Sequence, residues 1–145
     1  MAKELYYVDS CIWLNIFNEE DYPLKGIYLC TESRRFITKI ICSGNKRIIL
    51  SGFVLKEVKH KIANSVISDK FIRYMEKYSI FIHATDDDYS FARELESESG
   101  FTISFYDCMH IALCLKQGCI LVTRDKKLIE FANKYIVTKM PEEVE

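Results

Sequence analysis

Residues 105–125, FYDCMHIALCLKQGCILVTRD, carry the strongest structural signal of the chain. Up to Gln117 the segment is apolar nearly all the way round a helix, which is typical of a helix buried on most sides. Gly118 fits a helix C-terminal stop, and CILVT after it has the pattern of a short buried strand. Asp107 stands near the start of the helix and Asp125 just beyond the strand. The stretch therefore predicts a buried helix and a core strand, each with a carboxylate beside it.

Strands and helices alternate along the rest of the chain. The strand-like runs are 4–8, 47–50, 79–84, 119–123 and 135–139, and the helical patterns are 10–17, 25–43, 51–66, 69–78, 85–99, 105–118 and 124–134. Short, continuously apolar strands that alternate with helices are typical of a parallel sheet covered on both faces. We predict a single α/β domain over residues 1–145, with a Rossmann-like three-layer fold in which helices flank a central parallel sheet of about five strands.

The composition excludes several classes of protein. Hydrophobic residues make up 49% and charged residues 28%, and no apolar run reaches the roughly 18 residues of a membrane span. The start, MAKELYYVD, lacks the pattern of a secretion signal, so we expect a cytoplasmic protein without a membrane contact. Six cysteines lie in apolar runs without the C-x-x-C spacing of zinc sites, which favours reduced, buried side chains.

Four acidic residues are the candidate functional groups. Asp9 closes YYVD, Glu57 stands in ILSGFVLKE, and Asp107 and Asp125 flank the segment described above. In open α/β sheets ligands bind beyond the carboxyl ends of the strands, where Asp9 and Asp125 fall. Carboxylates forced together repel, and a divalent cation between them is the usual means of keeping them ionised. Mg²⁺ or Mn²⁺ suits such oxygen ligands and supplies what hydrolysis of a phosphodiester needs.

Each acid also has a purely structural explanation. Asp9 and Asp125 fit a helix cap as well as a metal ligand, and Glu57 taken alone fits a surface ion pair with Lys61, four residues later. Asp107 is harder to explain in this way, because an unpaired charge on so apolar a helix is costly. For His110 a hydrogen-bonded role at a packing or subunit interface is favoured over metal binding.

The charge is distributed unevenly although the net charge is −1. Residues 31–61 hold eight basic side chains against two acids, a balance of +6, whereas residues 84–100 hold six acids against one arginine, a balance of −5. A basic region beside a carboxylate cluster suits a polyanion that is gripped by its phosphates. The candidates for phosphate contacts are Arg34, Arg35, Lys46, Arg47 and Lys59.

Four segments, YYVDSCIWL, VLKE, DCMHIALCL and ILVTRDKKL, resemble in order and spacing the acidic motifs of PIN-domain nucleases, especially the VapC-type toxin ribonucleases of toxin–antitoxin pairs. The resemblance covers nearly the whole chain and is most specific from Asp107 to Asp125. It implies Mg²⁺ or Mn²⁺, cleavage of RNA, homodimers and inhibition by an antitoxin peptide. It also implies an acidic quartet with two supporting hydroxyl residues: Asp9, Glu57, Asp107 and Asp125, with Ser10 and Thr123. Cys11 departs from the pattern, because a small polar residue is frequent there.

The sequence therefore predicts a metal-dependent endoribonuclease with an RNA substrate, the toxin of a toxin–antitoxin pair. Asp9 and Asp107 would hold the metal directly, and Asp125 directly or through water. Glu57 would orient or deprotonate the attacking water. The alternative is a catalytically weak PIN-like domain that binds RNA or a protein without cutting.

Overall fold

The computed structural model describes residues 3–145. Over this range strands alternate with helices, as the apolar patterns predict. In chain order the elements are β1 Glu4–Val8, α1 Ser10–Phe17, β2 Asp21–Tyr22, β3 Ile27–Tyr28, α2 Leu29–Ile41, β4 Lys46–Ser51, α3 Gly52–Lys61, α4 Ser65–Lys77, β5 Ser79–Ile82, α5 Asp86–Glu98, α6 Phe105–Gln117, β6 Ile120–Val122, α7 Lys126–Ala132 and β7 Thr138–Lys139. Short 3₁₀ turns cover Pro23–Lys25 and Pro141–Glu143.

A five-stranded parallel sheet lies at the centre, in the order β5-β4-β1-β6-β7, and the helices flank it. This is the predicted fold class. The strand β1 is the middle strand and pairs with β4 on one side and β6 on the other. Val8 is in register with Val122, and the Asp9 N–H donates to the Val122 carbonyl at 3.0 Å. The pairing therefore brings Asp9 and Thr123 together at the carboxyl edge of the sheet.

The helix α6 is as buried as its composition predicts. Every residue from Cys108 to Cys114 is buried, and Gly118 ends the helix with a φ of 68°, in the left-handed region that favours glycine. On α2 the apolar face packs into the core, with Phe36, Ile37 and Ile40 almost fully covered. That face therefore belongs to the core.

The first half of the chain departs from the predicted boundaries. A helix was expected over 25–43, but residues 21–28 form a small hairpin, β2 with β3, around the Pro23–Lys25 turn. Gly26 closes that turn with a φ of 67°, and the helix begins only at Leu29. The Asp21 carboxylate accepts hydrogen bonds from the Thr31 backbone N–H and hydroxyl, at 3.1 and 2.6 Å. These bonds fasten the hairpin to the first turn of α2.

Two further boundaries shift for local reasons. The helix expected over 51–66 ends at Lys61, because the Asn64 side chain caps a new helix by accepting from the N–H groups of Val66 and Ile67. The last strand, expected over 135–139, is shortened to Thr138–Lys139. The backbone N–H groups of Tyr135 and Ile136 bond to the Ala132 carbonyl and extend the end of α7 instead.

The six cysteines are all free thiols. Four are buried as expected, but Cys42 is exposed and Cys11 is only partly covered. Within residues 3–145, no helix combines the length and apolar character that a membrane crossing requires.

Candidate metal centre

Asp9 is held in place by two sets of hydrogen bonds. It is the N-cap of α1, and its Oδ1 accepts from the Ser10 backbone N–H at 2.8 Å. Its Oδ2 accepts from the Thr123 hydroxyl, also at 2.8 Å. Asp9 is 5% exposed, which leaves its carboxylate facing the cluster rather than bulk solvent. Asp9 therefore both caps α1 and belongs to the acidic cluster.

Glu57 points towards the sheet edge and not towards Lys61. Its Oε1 lies 2.8 Å from the Nε2 atom of His110 on α6. The same His110 nitrogen lies 3.7 Å from Oδ1 of Asp9. An ion pair between Glu57 and Lys61, the structural explanation for this acid, does not form in the part of the chain that the structure describes.

Asp107 completes the group. Asp9, Glu57, Asp107 and His110 each offer one ligand atom, and these four atoms lie within 4.8 Å of one another. The pKa of the Asp107 carboxyl is raised from 3.8 to about 6, mainly by burial; the charge of His110 opposes this rise, and the charges of Asp9, Glu57 and Asp125 add to it. A carboxyl group whose pKa is raised in this way releases its proton when a cation binds beside it.

Asp125 takes a different position from the other three acids. Its Oδ1 caps α7, accepting from the N–H groups of Lys127 and Leu128 at 3.0 and 3.2 Å. It is outside the group of ligand atoms within 4.8 Å, although its charge acts on the Asp107 pKa. The structure thus brings three of the four predicted acids together and places the fourth beside them in a helix-capping role.

The predicted supporting residues are adjacent to Asp9. The Thr123 hydroxyl donates to Asp9 and also accepts from the Asp125 backbone N–H at 3.2 Å, which links two of the acids. The Ser10 hydroxyl is 3.5 Å from Asp9 Oδ1. The Cys11 sulfur lies 3.7 Å from both Asp9 Oδ2 and the Thr123 hydroxyl, and burial followed by the Asp9 charge raises the thiol pKa to about 12.

His110 is the residue whose importance the sequence pattern understated. It is 0% exposed, and its second ring nitrogen, Nδ1, lies 2.6 Å from the Tyr7 hydroxyl. Burial lowers the pKa of this imidazole, but the hydrogen bond to Glu57 and the nearby carboxylates outweigh it and raise the pKa overall. Its position three residues after Asp107, on the same side of α6, was the one available signal.

The predicted phosphate-binding residues are scattered. Lys46 and Arg47 lie at the start of β4, at the amino end of the sheet, whereas the carboxylates lie at the carboxyl end. Arg34 and Arg35 are exposed on α2, and Lys59 is exposed on α3. A cavity of about 440 Å³ adjoins the cluster, and its lining includes three basic side chains outside the predicted set. Its lining residues are Ser10, Lys56, Glu57, His60, Lys61 and Tyr106.

The donor set fits a hard divalent cation. Asp9, Glu57 and Asp107 supply carboxylate oxygens from three separate elements, the ligands that Mg²⁺ and Mn²⁺ prefer. Carboxylates this close repel one another, and this repulsion adds to the effect of burial in raising the Asp107 pKa. A cation of charge +2 would relieve it.

The fold and the site together define the class of this protein: a parallel α/β domain with an acidic centre at the carboxyl edge of its sheet. The sequence model of the PIN domain family matches residues 6–134, and the chain belongs to that family. The comparison with curated proteins gave no match.

Solved structures share the fold. VapBC2 from Rickettsia felis, bound to a DNA fragment from its promoter, is 15% identical, with a TM-score of 0.71 over 94% of this chain and 98% of that chain. VapBC-1 from nontypeable Haemophilus influenzae is 14% identical, with a TM-score of 0.65 over 96% and 99%. DNA-bound VapBC from Salmonella typhimurium is 15% identical, with a TM-score of 0.63 over 97% and 99%.

Proposed function

We propose that the protein is a metal-dependent endoribonuclease that hydrolyses RNA phosphodiester bonds, and that it is the toxin of a toxin–antitoxin pair. The observation that carries the proposal is the gathering of Asp9, Glu57 and Asp107, from three distant parts of the chain, within 4.8 Å. Local structure does not require this arrangement: Asp9 also caps α1, but that cap does not bring Glu57 on α3 and Asp107 on α6 to the same place. Membership of the PIN domain family supports a nuclease.

The cation would be Mg²⁺ or Mn²⁺, held by Asp9 and Asp107, with Asp125 contributing directly or through water. When bound, such an ion lowers the pKa of a coordinated water and neutralises charge on a phosphoryl oxygen. Asp9 is ready for this role because Ser10 and Thr123 fix its two oxygens. Glu57 would orient or deprotonate the attacking water from the rim of the cavity that adjoins the cluster.

The RNA backbone would pass along α3. Lys56, His60 and Lys61 line the cavity next to Glu57, and Lys59 is exposed on the same helix. Cationic side chains beside the carboxylate cluster attract phosphates, which the cluster alone would repel. In this arrangement Lys59 keeps its predicted role, while Lys46 and Arg47 are too far along the sheet to contact the same phosphates.

The partners follow from the resemblance and from the assemblies that share the fold. The three solved structures above are VapBC assemblies, two of them with DNA. By analogy we propose an antitoxin protein as the partner of this chain. A homodimer and a cytoplasmic location remain predictions from the sequence.

Incubation of purified protein with a pool of cellular RNAs tests the activity. We expect cleavage with Mg²⁺ or Mn²⁺, none with chelator, and a loss of more than about 100-fold in Asp9→Asn and Asp107→Asn, since even outer-shell partners of a metal typically cost 10–100-fold. Asp69→Asn, an exposed acid on α4, is the matched control and should cut normally.

The same experiment distinguishes the enzyme from the alternative, a PIN-like domain that binds without cutting. Contaminating nucleases would survive in the Asp9→Asn preparation, so that variant also controls for purity. RNA binding that needs no metal and gives no products would favour the non-cutting PIN-like domain and refute the enzyme.

A further inference from the structure

A buried chain of hydrogen bonds runs beneath the carboxylate cluster. The Ser51 hydroxyl lies 2.5 Å from the Tyr7 hydroxyl, the Tyr7 hydroxyl lies 2.6 Å from His110 Nδ1, and His110 Nε2 lies 2.8 Å from Glu57 Oε1. Ser51, Tyr7 and His110 are at most 1% exposed. Bulk water therefore has little access to their polar atoms, and the protein itself must satisfy them.

The direction of each bond follows from counting donors. An ionised carboxylate only accepts, so the hydrogen between His110 and Glu57 is on Nε2. The Ser51 hydroxyl oxygen already accepts from the Val54 backbone N–H, at 3.4 Å, as the N-cap of α3. When the imidazole is neutral, Ser51 can donate to Tyr7 and Tyr7 to His110 Nδ1, so that every hydrogen in this series of bonds has one acceptor. The opposite direction leaves the Ser51 hydrogen buried without an acceptor, which is costly.

We propose that His110 is a positioning residue that holds the Glu57 carboxylate by donating from Nε2, and that it is not a ligand of the cation although it lies within ligand distance of the acids. Tyr7 and Ser51 fix the orientation of the imidazole ring. The cation then receives oxygen ligands from the acids alone, the set suited to hard ions. The catalytic part of this inference rests on the proposed function, whereas the hydrogen positions do not.

The geometry explains why such a chain is useful. Ser51 caps α3, and Glu57 stands on the second turn of the same helix. Tyr7 on β1 and His110 on α6 connect these two points of α3. A tilt of α3 that moved Glu57 would therefore also break the contact at its cap. The carboxylate is fixed against both the middle strand of the sheet and the most buried helix.

Nitrogen NMR of the metal-free wild-type protein, recorded at a pH high enough to keep the imidazole neutral, tests the hydrogen positions without any substitution in the series of bonds. Long-range proton–nitrogen correlations distinguish a ring nitrogen that carries hydrogen from one that does not. The chain has three histidines, so His60→Gln and His83→Gln identify the His110 signals by elimination. We expect hydrogen on Nε2 of His110. A bare Nε2 with hydrogen on Nδ1 would overturn the proposal.

A matched pair of tyrosine variants tests the hydrogen bond between Tyr7 and His110. Tyr7→Phe removes the donor to Nδ1 and should change the His110 nitrogen signals. Tyr6→Phe makes the same chemical change at the preceding residue of β1. The Tyr6 hydroxyl contacts Glu4, so this variant should leave the His110 nitrogen signals unchanged. Signals that do not respond to Tyr7→Phe would contradict the assigned bond.

Binding of Mn²⁺ tests the claim that His110 is not a ligand. Pulsed electron paramagnetic resonance of the Mn²⁺-loaded protein detects a directly coordinated ring nitrogen. We expect no such coupling, and a coupling that disappears in His110→Gln would refute the proposal. Failure of the protein to bind Mn²⁺ at all would count against the proposed nuclease and leave the NMR result to decide the role of His110.

Cleavage kinetics provide the functional test. A glutamine amide can donate to Glu57 and a leucine cannot, so His110→Gln should retain more activity than His110→Leu. We expect the leucine variant to lose about 10–100-fold in kcat with KM little changed, the usual cost of removing an outer-shell partner. Equal losses in two folded variants would contradict the positioning role.

Discussion

Replacement of Asp107 by asparagine should stabilise the metal-free protein at neutral pH. Burial and the neighbouring charges raise the pKa of this carboxyl from 3.8 to about 6. The charged form is therefore disfavoured in the folded state relative to the unfolded state. A rise of about 2 in pKa corresponds to about 3 kcal/mol of unfolding free energy, and an uncharged amide escapes this cost.

The pH dependence has a definite sign. Well below pH 3.8 Asp107 is protonated in both the folded and the unfolded state, and its raised pKa has no effect on stability. As the pH rises through the interval from 3.8 to about 6, the folded wild-type protein loses the corresponding stability, and the loss is complete above that interval. The advantage of Asp107→Asn should therefore be only about 0.5 kcal/mol at pH 4 and reach about 2 to 3 kcal/mol at pH 7.5.

Urea denaturation with chelator at the two pH values measures this difference, with Asp69→Asn as the control for loss of an exposed charge. Addition of Mg²⁺ should reverse the order of stability at pH 7.5. A cation at 1,000 times its dissociation constant stabilises a binding protein by about 4.1 kcal/mol, which exceeds the advantage of the variant, and the variant has lost a ligand. An Asp107→Asn variant that is less stable than the wild type in chelator at pH 7.5, or a difference that does not vary with pH, would refute this prediction.

Three other substitutions have defined outcomes. Thr123→Val removes the hydroxyl that donates to Asp9 and should lower the unfolding free energy by about 1.5 to 3 kcal/mol, the usual cost of a hydrogen bond to a charged group; an unchanged denaturation midpoint would contradict it. Asp125→Asn preserves the cap of α7, so stability in chelator should hold while calorimetry shows Mg²⁺ affinity falling about 10-fold; unchanged affinity would leave Asp125 as a cap alone. Gly118→Ala should cost about 1 kcal/mol by thermal denaturation, because φ is 68° there although nothing lies within 4 Å of the added carbon; a neutral result would show that the backbone relaxes.

The architecture could be predicted because long apolar segments leave few choices. A strand as apolar as ILV in β6, followed by a helix and preceded by the buried α6, has to lie inside a covered sheet. The hairpin β2 with β3 could not be found in this way. Each strand has two residues, and the bonds that hold it run from Thr31 to Asp21, so it depends on tertiary contacts that no periodicity records.

The candidate site was predictable for residues whose position in the chain is itself a signal. Asp9 follows the middle strand, and Asp107 is out of place on an apolar helix. The role of His110 depends on a contact with Glu57, 53 residues away, and on a tyrosine 103 residues away. Histidine, tyrosine and serine at such separations form no pattern along a sequence, and only the fold brings them together.

The double attachment of Asp9 has an evolutionary consequence. Asparagine caps a helix about as well as aspartate, so a single nucleotide change that converts Asp9 to Asn would remove a charged ligand and preserve the start of α1. Such a chain would keep the oxygen that caps α1 and lose the one that accepts from Thr123, so a change at this one residue separates the start of the helix from the proposed activity.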